Sequence, residues 1–427
     1  MSKRKMTKIR YRFPEFHLDW KEDEFKGIFD FHQTNTFSRN QMNNRREFTR
    51  NIHYGDILIK YGNILSDLQE VPYINKDISL LKFKEESYLQ NGDIIIADTA
   101  EDLTVGKAIE VQNIDGKVLS GLHTILCRPK FKFAPKFLGY NLNSSSYRRN
   151  LIPLVVGVKV CSISKTNISK TLVMYPDDIN EQQKIADCLS SIDDLISAEE
   201  KKLSLLNDYK KGWMQKLFPT EGKTVPEWRF PEFKDDNNWK CVEIDTVGKV
   251  IAGKTPPTSN DSLWNGSIQF VTPTDIVGDK YQRLVQRTVV KTSNMKVLPK
   301  GTIMFTCIAS IGKMAISVYP SVTNQQINSI ITKNGYYNEF IYYSLFHNVN
   351  KIKSGISNTT VPIINKTDFS KIQISVTLNE KEQQKIANFL SGTDDLISTQ
   401  TDRIEALKQH KKALMQGLFP AVEEVWK

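Results

Sequence analysis

The chain is poor in the features that most often announce a chemistry. It has no uninterrupted apolar run of about 18 residues, so no segment is expected to span a bilayer. Its basic start, "MSKRKMTKIRYRF", is followed by no apolar core or cleavage site, and no export signal is expected. Cysteine is sparse: Cys127, Cys161, Cys188, Cys241 and Cys307 are odd in number and scattered, without a CxxC pair. That pattern points to reduced thiols in a cytoplasm rather than a disulfide framework. The six histidines (His17, His32, His53, His123, His347, His410) never fall at metal-ligand spacing, so no metal is expected on this chain.

Catalytic signatures are equally thin. No Asn/Asp/Ser-Pro-Pro-Tyr/Phe motif of a methyltransferase occurs, and the only double proline lies in "KTPPT". "PDDINEQQK" (Pro176–Lys184) opens like a nuclease metal site but lacks the acidic-x-Lys pair, and Asp178 is wanted as a helix cap. "GKVIAGKT" (Gly248–Thr255) fits the phosphate-loop spelling in every letter. That loop must deliver its Lys and Thr into a helix, whereas Pro256 and Pro257 push Thr255 out of helical space. The chain is expected to be non-catalytic and to carry no cofactor.

What is present begins with charge and length. The net charge of +10 and pI of about 9.1 suit a polyanionic partner. At 427 residues the chain exceeds one ordinary core. "EQQKIADCLSSIDDLISAEEKKLSLLNDYKKGWMQKLFP" (Glu181–Pro219) returns without a gap as "EQQKIANFLSGTDDLISTQTDRIEALKQHKKALMQGLFP" (Glu382–Pro420), 201 residues later. A shorter echo, "RFPEF", stands at Arg12–Phe16 and Arg229–Phe233, 169 and 153 residues ahead of the long copies. The chain therefore reads as two halves, each a globular arm followed by the same helical segment. The expected boundaries are 1–177 for the first arm, 178–219 for the first helix, 220–378 for the second arm and 379–420 for the second helix, with a tail at 421–427.

The arms scarcely match each other, yet both combine short β-branched runs with Gly-bearing turns, which reads as mixed α/β with substantial strand content. Asp178 and Asn379 stand three residues before Glu181 and Glu382 as capping boxes, and Pro219 and Pro420 close the helices. A heptad seam runs Ile185, Leu189, Ile192, Ile196, Leu203, Leu206, Trp213, Leu217 and again Ile386, Leu390, Ile397, Ile404, Leu407, Leu414, Leu418. The expected fold class is α/β (α+β) and multidomain: two arms separated by two long antiparallel helices forming a coiled-coil spacer, pseudo-twofold. Polar interruptions of the seam suggest its register. Facing residue numbers totalling about 610 set Glu199 against Lys411, Lys210 against Gln400 and Leu203 against Leu407.

Identity between the helical copies is uneven: 13 of 17 positions in Glu181–Ser197, one of 12 in Ala198–Tyr209 and seven of ten in Lys210–Pro219. A rod would keep its seam and drift evenly elsewhere. The off-seam matches are Gln182, Gln183, Lys184, Asp193, Asp194, Lys211 and Gln215, with Gln383, Gln384, Lys385, Asp394, Asp395, Lys412 and Gln416. They are expected to form two equivalent ends that dock two copies of one partner.

Each arm also carries a polar, basic, acid-poor surface. "TNTFSRNQMNNRREFTR" (Thr34–Arg50) offers Arg39, Asn43, Asn44, Arg45, Arg46 and Arg50, with Lys107 from a later turn. The second arm offers Lys254, Thr255, Ser259, Asn260, Ser310, Lys313, Asn324, Gln325, Lys353, Asn358 and Thr359. Arg forks onto guanine, Asn and Gln onto adenine, and Arg and Lys also hold phosphates. These are the candidate DNA-binding residues.

With "EQQKIA…L…DDLI…KK…MQ.LFP" present twice, "FPEF" ahead of each arm, and "AGKTPP" and "SIGKMAI" in the second, the chain resembles the specificity subunit of a type I restriction–modification enzyme. The resemblance implies that each arm is a target-recognition domain reading half of a bipartite site in double-stranded DNA. It implies that the paired helices space the arms and dock two methyltransferase subunits, which bind S-adenosylmethionine and methylate adenine. Two restriction subunits using ATP and Mg can join. In the first arm "ADTAEDLTVGK" stands where the second has its "SIGK" turn. The rival reading is a coiled-coil adaptor without sequence-specific DNA binding.

Overall fold

A computed structural model describes residues 5–6, 9–220, 222–236, 239–293, 295–355, 362–420 and 422–423. The chain divides into two compact units, Met1–Glu199 with Arg403–Lys427, and Glu200–Asp402. The two repeated segments are helices of 39 residues, Ile179–Leu217 and Glu380–Leu418. Each unit thus holds an arm, the opening stretch of its own helix and the closing stretch of the other.

In the first unit a five-stranded sheet runs in the order Phe29–His32, Thr124–Pro129, Ile94–Ala97, Ala108–Val111, Ile64–Leu65. All neighbours are antiparallel except the last pair. Ile94, Ile95 and Ile96 are fully buried, as a continuous apolar run requires of a strand covered on both faces. A second sheet joins Lys117–Ser120, Thr49–Ile52, Tyr73–Ile74 and Met42–Asn43. The arm closes where Trp20–Glu24 pairs antiparallel with Leu172–Pro176, the strand that leads into the long helix.

The second unit repeats this plan on a different sequence. Its five strands run Gly248–Ala252, Ile327–Thr332, Ile303–Thr306, Met314–Ser317, Tyr281–Gln282, again with only the last pair parallel. The smaller sheet is Arg287–Val289, Trp264–Val271, Ser321–Thr323. Trp239–Glu243 closes on Gln373–Thr377.

The seam has two kinds of partner, where pairing of the helices with each other was the expectation. Ile185, Ala186 and Leu189 belong to the first arm's core with Trp20, Phe137 and Tyr140, together with Leu418 and Phe419. Ile386, Ala387 and Leu390 do the same in the second unit, joined by Met214, Leu217 and Phe218. A helix that opens against a sheet-rich arm buries its first turns there, because that apolar surface is larger than a neighbouring helix offers.

The expected register is corrected. Lys411 Nζ lies 2.5 Å from Asp193, and Arg403 pairs with Glu199 at 2.9 Å. Lys210 Nζ lies 2.5 Å from Asp394. The numbers of these facing partners total 604, 602 and 604, six to eight below 610 and so close to one heptad away. Lys411 and Lys210 are held by Asp193 and Asp394, where Glu199 and Gln400 were expected. A heptad slip leaves a seam equally apolar, so the aspartates beside it, each already held by an arm, decide the register.

The capping expectation holds in part. Asp178 and Asn379 accept from the amides of Asn180 and Lys381 at 2.8 and 3.0 Å. The carboxylates of Glu181 and Glu382, which would complete a capping box, are drawn to arginines instead. Among the described residues no helix is long and apolar enough to cross a membrane, and no cluster of metal-ligating groups occurs.

Candidate nucleic-acid interface

In the first arm the loop before Thr49–Ile52 is held from beneath. Buried Asn35 donates to Asn51 Oδ1 and the Ser120 carbonyl, at 2.7 and 3.0 Å, and accepts from the Phe37 amide. Arg39 is tied to buried Asp56 at 2.8 Å, which compensates its charge. Asn43 donates to Asn75 and accepts from the Arg45 amide, so its side chain shapes the turn. Asn44, Arg45 and Arg46 remain exposed at the tip beside Phe48, itself 86% exposed. Arg50 lies over the Tyr73 ring, 4.7 Å from its centroid.

Lys107 is withdrawn from this surface. Its ammonium donates to the carbonyls of Leu58 and Tyr61 at 3.3 and 2.6 Å. Burial, and then the charge of Lys411, lower its pKa from the usual lysine range. It ties that carbonyl pair together rather than facing a polyanion.

In the second arm Gly248–Ala252 of the phosphate-loop look-alike is a strand, and the next element is a single 3-10 turn, Asp261–Leu263. Lys254 is exposed, with its backbone N–H donating a hydrogen bond to the Thr323 carbonyl, and Thr255 donates to Gln325 at 2.7 Å. Gly253 is required here, because a Cβ would lie 2.0 Å from the Asn324 carbonyl oxygen. The loop walls a cleft of about 470 Å³ with Thr292, Lys296 and Thr323. Ser259 is exposed, while Asn260 caps the turn by accepting from the Ser262 amide. The Ser310 carbonyl accepts from Thr306, Lys313 is exposed, and the Lys353 stem lies over Gly312. Asn324 is turned inward onto Gln326, leaving Gln325 as the outward member of the pair. Asn358 and Thr359 lie outside the described residues.

The repeated helix ends have a use that was not foreseen. Arg12 grips Glu181 through Nε and Nη2, both at 2.9 Å, and Trp20 Nε1 adds 3.2 Å. Glu15 pairs with Lys184, and that ammonium lies over the Phe13 ring. In the second unit Arg229 grips Glu382 at 2.8 and 2.7 Å, Trp239 adds 3.4 Å, Glu232 pairs with Lys385, and Lys385 lies over Phe230. "RFPEF" and "EQQK" are therefore two sides of one clasp. Arg and Glu three apart meet Glu and Lys three apart, the latter pair one turn along its helix.

The same economy explains other matched positions. Gln182 bridges the Ala134 amide and Pro176 carbonyl; Gln383 bridges the Tyr337 amide and the Gly335 and Thr377 carbonyls. Asp193 accepts from Tyr140 at 2.8 Å and from Lys411; Asp394 accepts from Tyr343 at 2.6 Å and from Lys210. Burial, and then the facing aspartate, push both phenols well above the usual tyrosine range, so each stays a donor. Of the expected docking residues, Gln182 and Gln383 are buried in these bridges. Gln183 bonds within its helix to Asp187, while Asp194, Lys211, Gln215, Gln384, Asp395, Lys412 and Gln416 remain exposed.

Comparison with known proteins follows the same division into halves. Residues 17–208 and 236–409 match the model of the type I restriction modification DNA specificity domain. The type I restriction enzyme MjaIX specificity subunit of Methanocaldococcus jannaschii is 32% identical over 203 residues, 44% of this chain and 46% of that protein, so the match spans less than half of that relative. The putative MjaX specificity subunit of the same organism is 26% identical over 377 residues, 84% of this chain and 87% of that protein. Among solved structures, an S subunit of a type I restriction–modification system from M. genitalium is matched over 98% of this chain and 100% of its own, with a TM-score of 0.62 at 15% identity. A chain from work on assembly and conformational transition of the type I R-M system reaches 0.54 at 16% identity, over 96% of this chain and 98% of its own. At such identities the structural likeness speaks for the fold alone.

Proposed function

Because the chain belongs to the type I restriction–modification DNA specificity family, we propose that it is the DNA target-recognition subunit of a type I complex and that each arm reads one half of a bipartite target. One observation carries the reading: two units of one topology and one clasp present different exposed side chains, Asn44, Arg45 and Arg46 in the first, Lys254, Gln325, Lys313 and Lys353 in the second. A shared scaffold with unlike reading loops suits a target whose halves differ. The adaptor reading leaves the basic loops without a role.

In this proposal the long helices fix the half-site separation, and their exposed matched residues receive two methyltransferase subunits. Catalysis is assigned to those partners, which would bring S-adenosylmethionine, and to restriction subunits with ATP and Mg where these join. The complex would act in the cytoplasm. The test is a map of methylated bases in cells with and without the gene, repeated after exchange of Thr34–Arg50. A bipartite motif that depends on the gene is expected, with one half altered by the exchange; alteration of both halves overturns the modular reading.

A further inference from the structure

We infer that Arg287 reads a guanine in the half-site recognised by the second arm. The inference rests on the recognition role proposed above and deepens it with a residue outside the loops that the sequence singled out. Arg287 opens the strand Arg287–Val289, at the edge of the smaller sheet, and is exposed. Its guanidinium carbon lies 3.5 Å from the centroid of the Trp264 ring.

Trp264 is a fixed platform. It is buried, packs edge-on against Phe270 at 5.2 Å, and donates its Nε1–H to the Pro257 carbonyl at 3.2 Å. Pro257 belongs to the loop that carries Lys254 and Thr255, so one ring joins Arg287 to that candidate surface. Charge points the same way. From Lys280 to Asn338 the chain has eight Lys and Arg and no Asp or Glu across 59 residues, so this segment supplies no carboxylate to draw the guanidinium away. The first arm has a parallel: Arg50 over Tyr73, on adjacent strands of its own smaller sheet.

The geometry suits base reading better than phosphate holding. A guanidinium lying flat on an indole keeps its N–H edges available in one fixed plane. Two parallel donors in that plane match O6 and N7 of guanine, and little rotamer freedom is left to lose on binding. A phosphate contact needs charge but no fixed plane, and a lysine would serve.

That difference sets the experiment. The complete complex carrying Arg287→Lys or Arg287→Ala is expressed in cells, methylated adenines are mapped, and DNA binding of the purified complex is measured against salt. With Arg287→Lys, one position of the second half-site should lose its preference for guanine, discrimination there falling roughly 5- to 150-fold. The first half-site and the salt slope should be unchanged. Arg287→Ala should give the same relaxation and leave the salt slope, which counts phosphate contacts, nearly unchanged. Trp264→Phe, which keeps a ring in the core, should relax the same position in part. An Arg287→Lys complex with an unchanged motif overturns the inference while leaving the recognition role standing. A parent complex that methylates no bipartite motif overturns the recognition role itself.

Discussion

Removing Arg229 should unfold the second unit far more easily than the equivalent change unfolds the first. Arg229 and Glu382 form a bidentate pair at 2.8 and 2.7 Å, with side chains 7% and 1% exposed. Thr377 Oγ1 at 2.6 Å and Trp239 Nε1 complete the shell of the carboxylate. Arg229→Ala leaves that carboxylate buried with two neutral donors, a loss of about 3–5 kcal/mol for a broken buried pair. For a unit near 200 residues this is a fall in Tm of about 6–20 °C. In the first unit the Arg12 side chain is 22% exposed, so water can replace part of what is lost, and Arg12→Ala should cost about 1–3 kcal/mol. The outer rungs, Glu15–Lys184 and Glu232–Lys385, are open to solvent, and breaking either should leave the urea midpoint almost unchanged. Urea unfolding followed by peptide-resolved hydrogen exchange separates the units through Ile94–Ala97 and Ile303–Thr306, the inner strands of the two sheets. Arg229→Met combined with Glu382→Gln removes both charges and keeps an acceptor for Thr377, and should recover most of the loss. Strictly additive losses, or a cost below about 1 kcal/mol for Arg229→Ala, would refute the clasp as the joint between arm and helix.

Other outcomes follow from the same contacts. Glu110 is buried beneath the amides of Lys136 and Gly139, and burial outweighs these bonds to push its carboxyl up to about 7. The folded unit holds a proton that the unfolded chain releases near pH 4.5, so this stability is complete below that pH and is lost as pH rises through 7. The span is on the order of 3 kcal/mol. Glu110→Gln should flatten that slope, read from urea midpoints between pH 4.5 and 8, and the second unit, with Ile316 at the corresponding strand position, should lack it. Lys411→Met should cost about 1.5–3 kcal/mol in the first unit and couple to Asp193→Asn in a double-mutant cycle, whereas coupling to Glu199→Gln should be near zero. Arg45→Ala and Arg46→Ala should each lower the salt slope of DNA binding by about one and leave the second half-site unaltered, as filter binding and methylation maps would show.

Much of this organisation is written in the order of the residues, for a physical reason. Helix periodicity and caps are local, so the two long helices could be placed to within about two residues. The doubled sentence and the two diverged arms are properties of the string itself and lead to the family without coordinates. Tertiary structure decided the rest. The Arg12–Glu181 and Arg229–Glu382 contacts join residues 169 and 153 apart, and only strand pairing that folds each arm back onto its helix brings them together. Before folding, "RFPEF" and "EQQK" are merely two repeats, and matched residues on a helix look like a docking face. The register read from the polar interruptions missed for a related reason: an apolar seam tolerates a slip of about seven, and Tyr140 and Tyr343, far away in sequence, hold the aspartates that break the tie. Lys107 and Arg287 illustrate the same principle. Sequence shows where a charge lies along the chain, while the carbonyls around one and the indole beneath the other are assembled only by the fold.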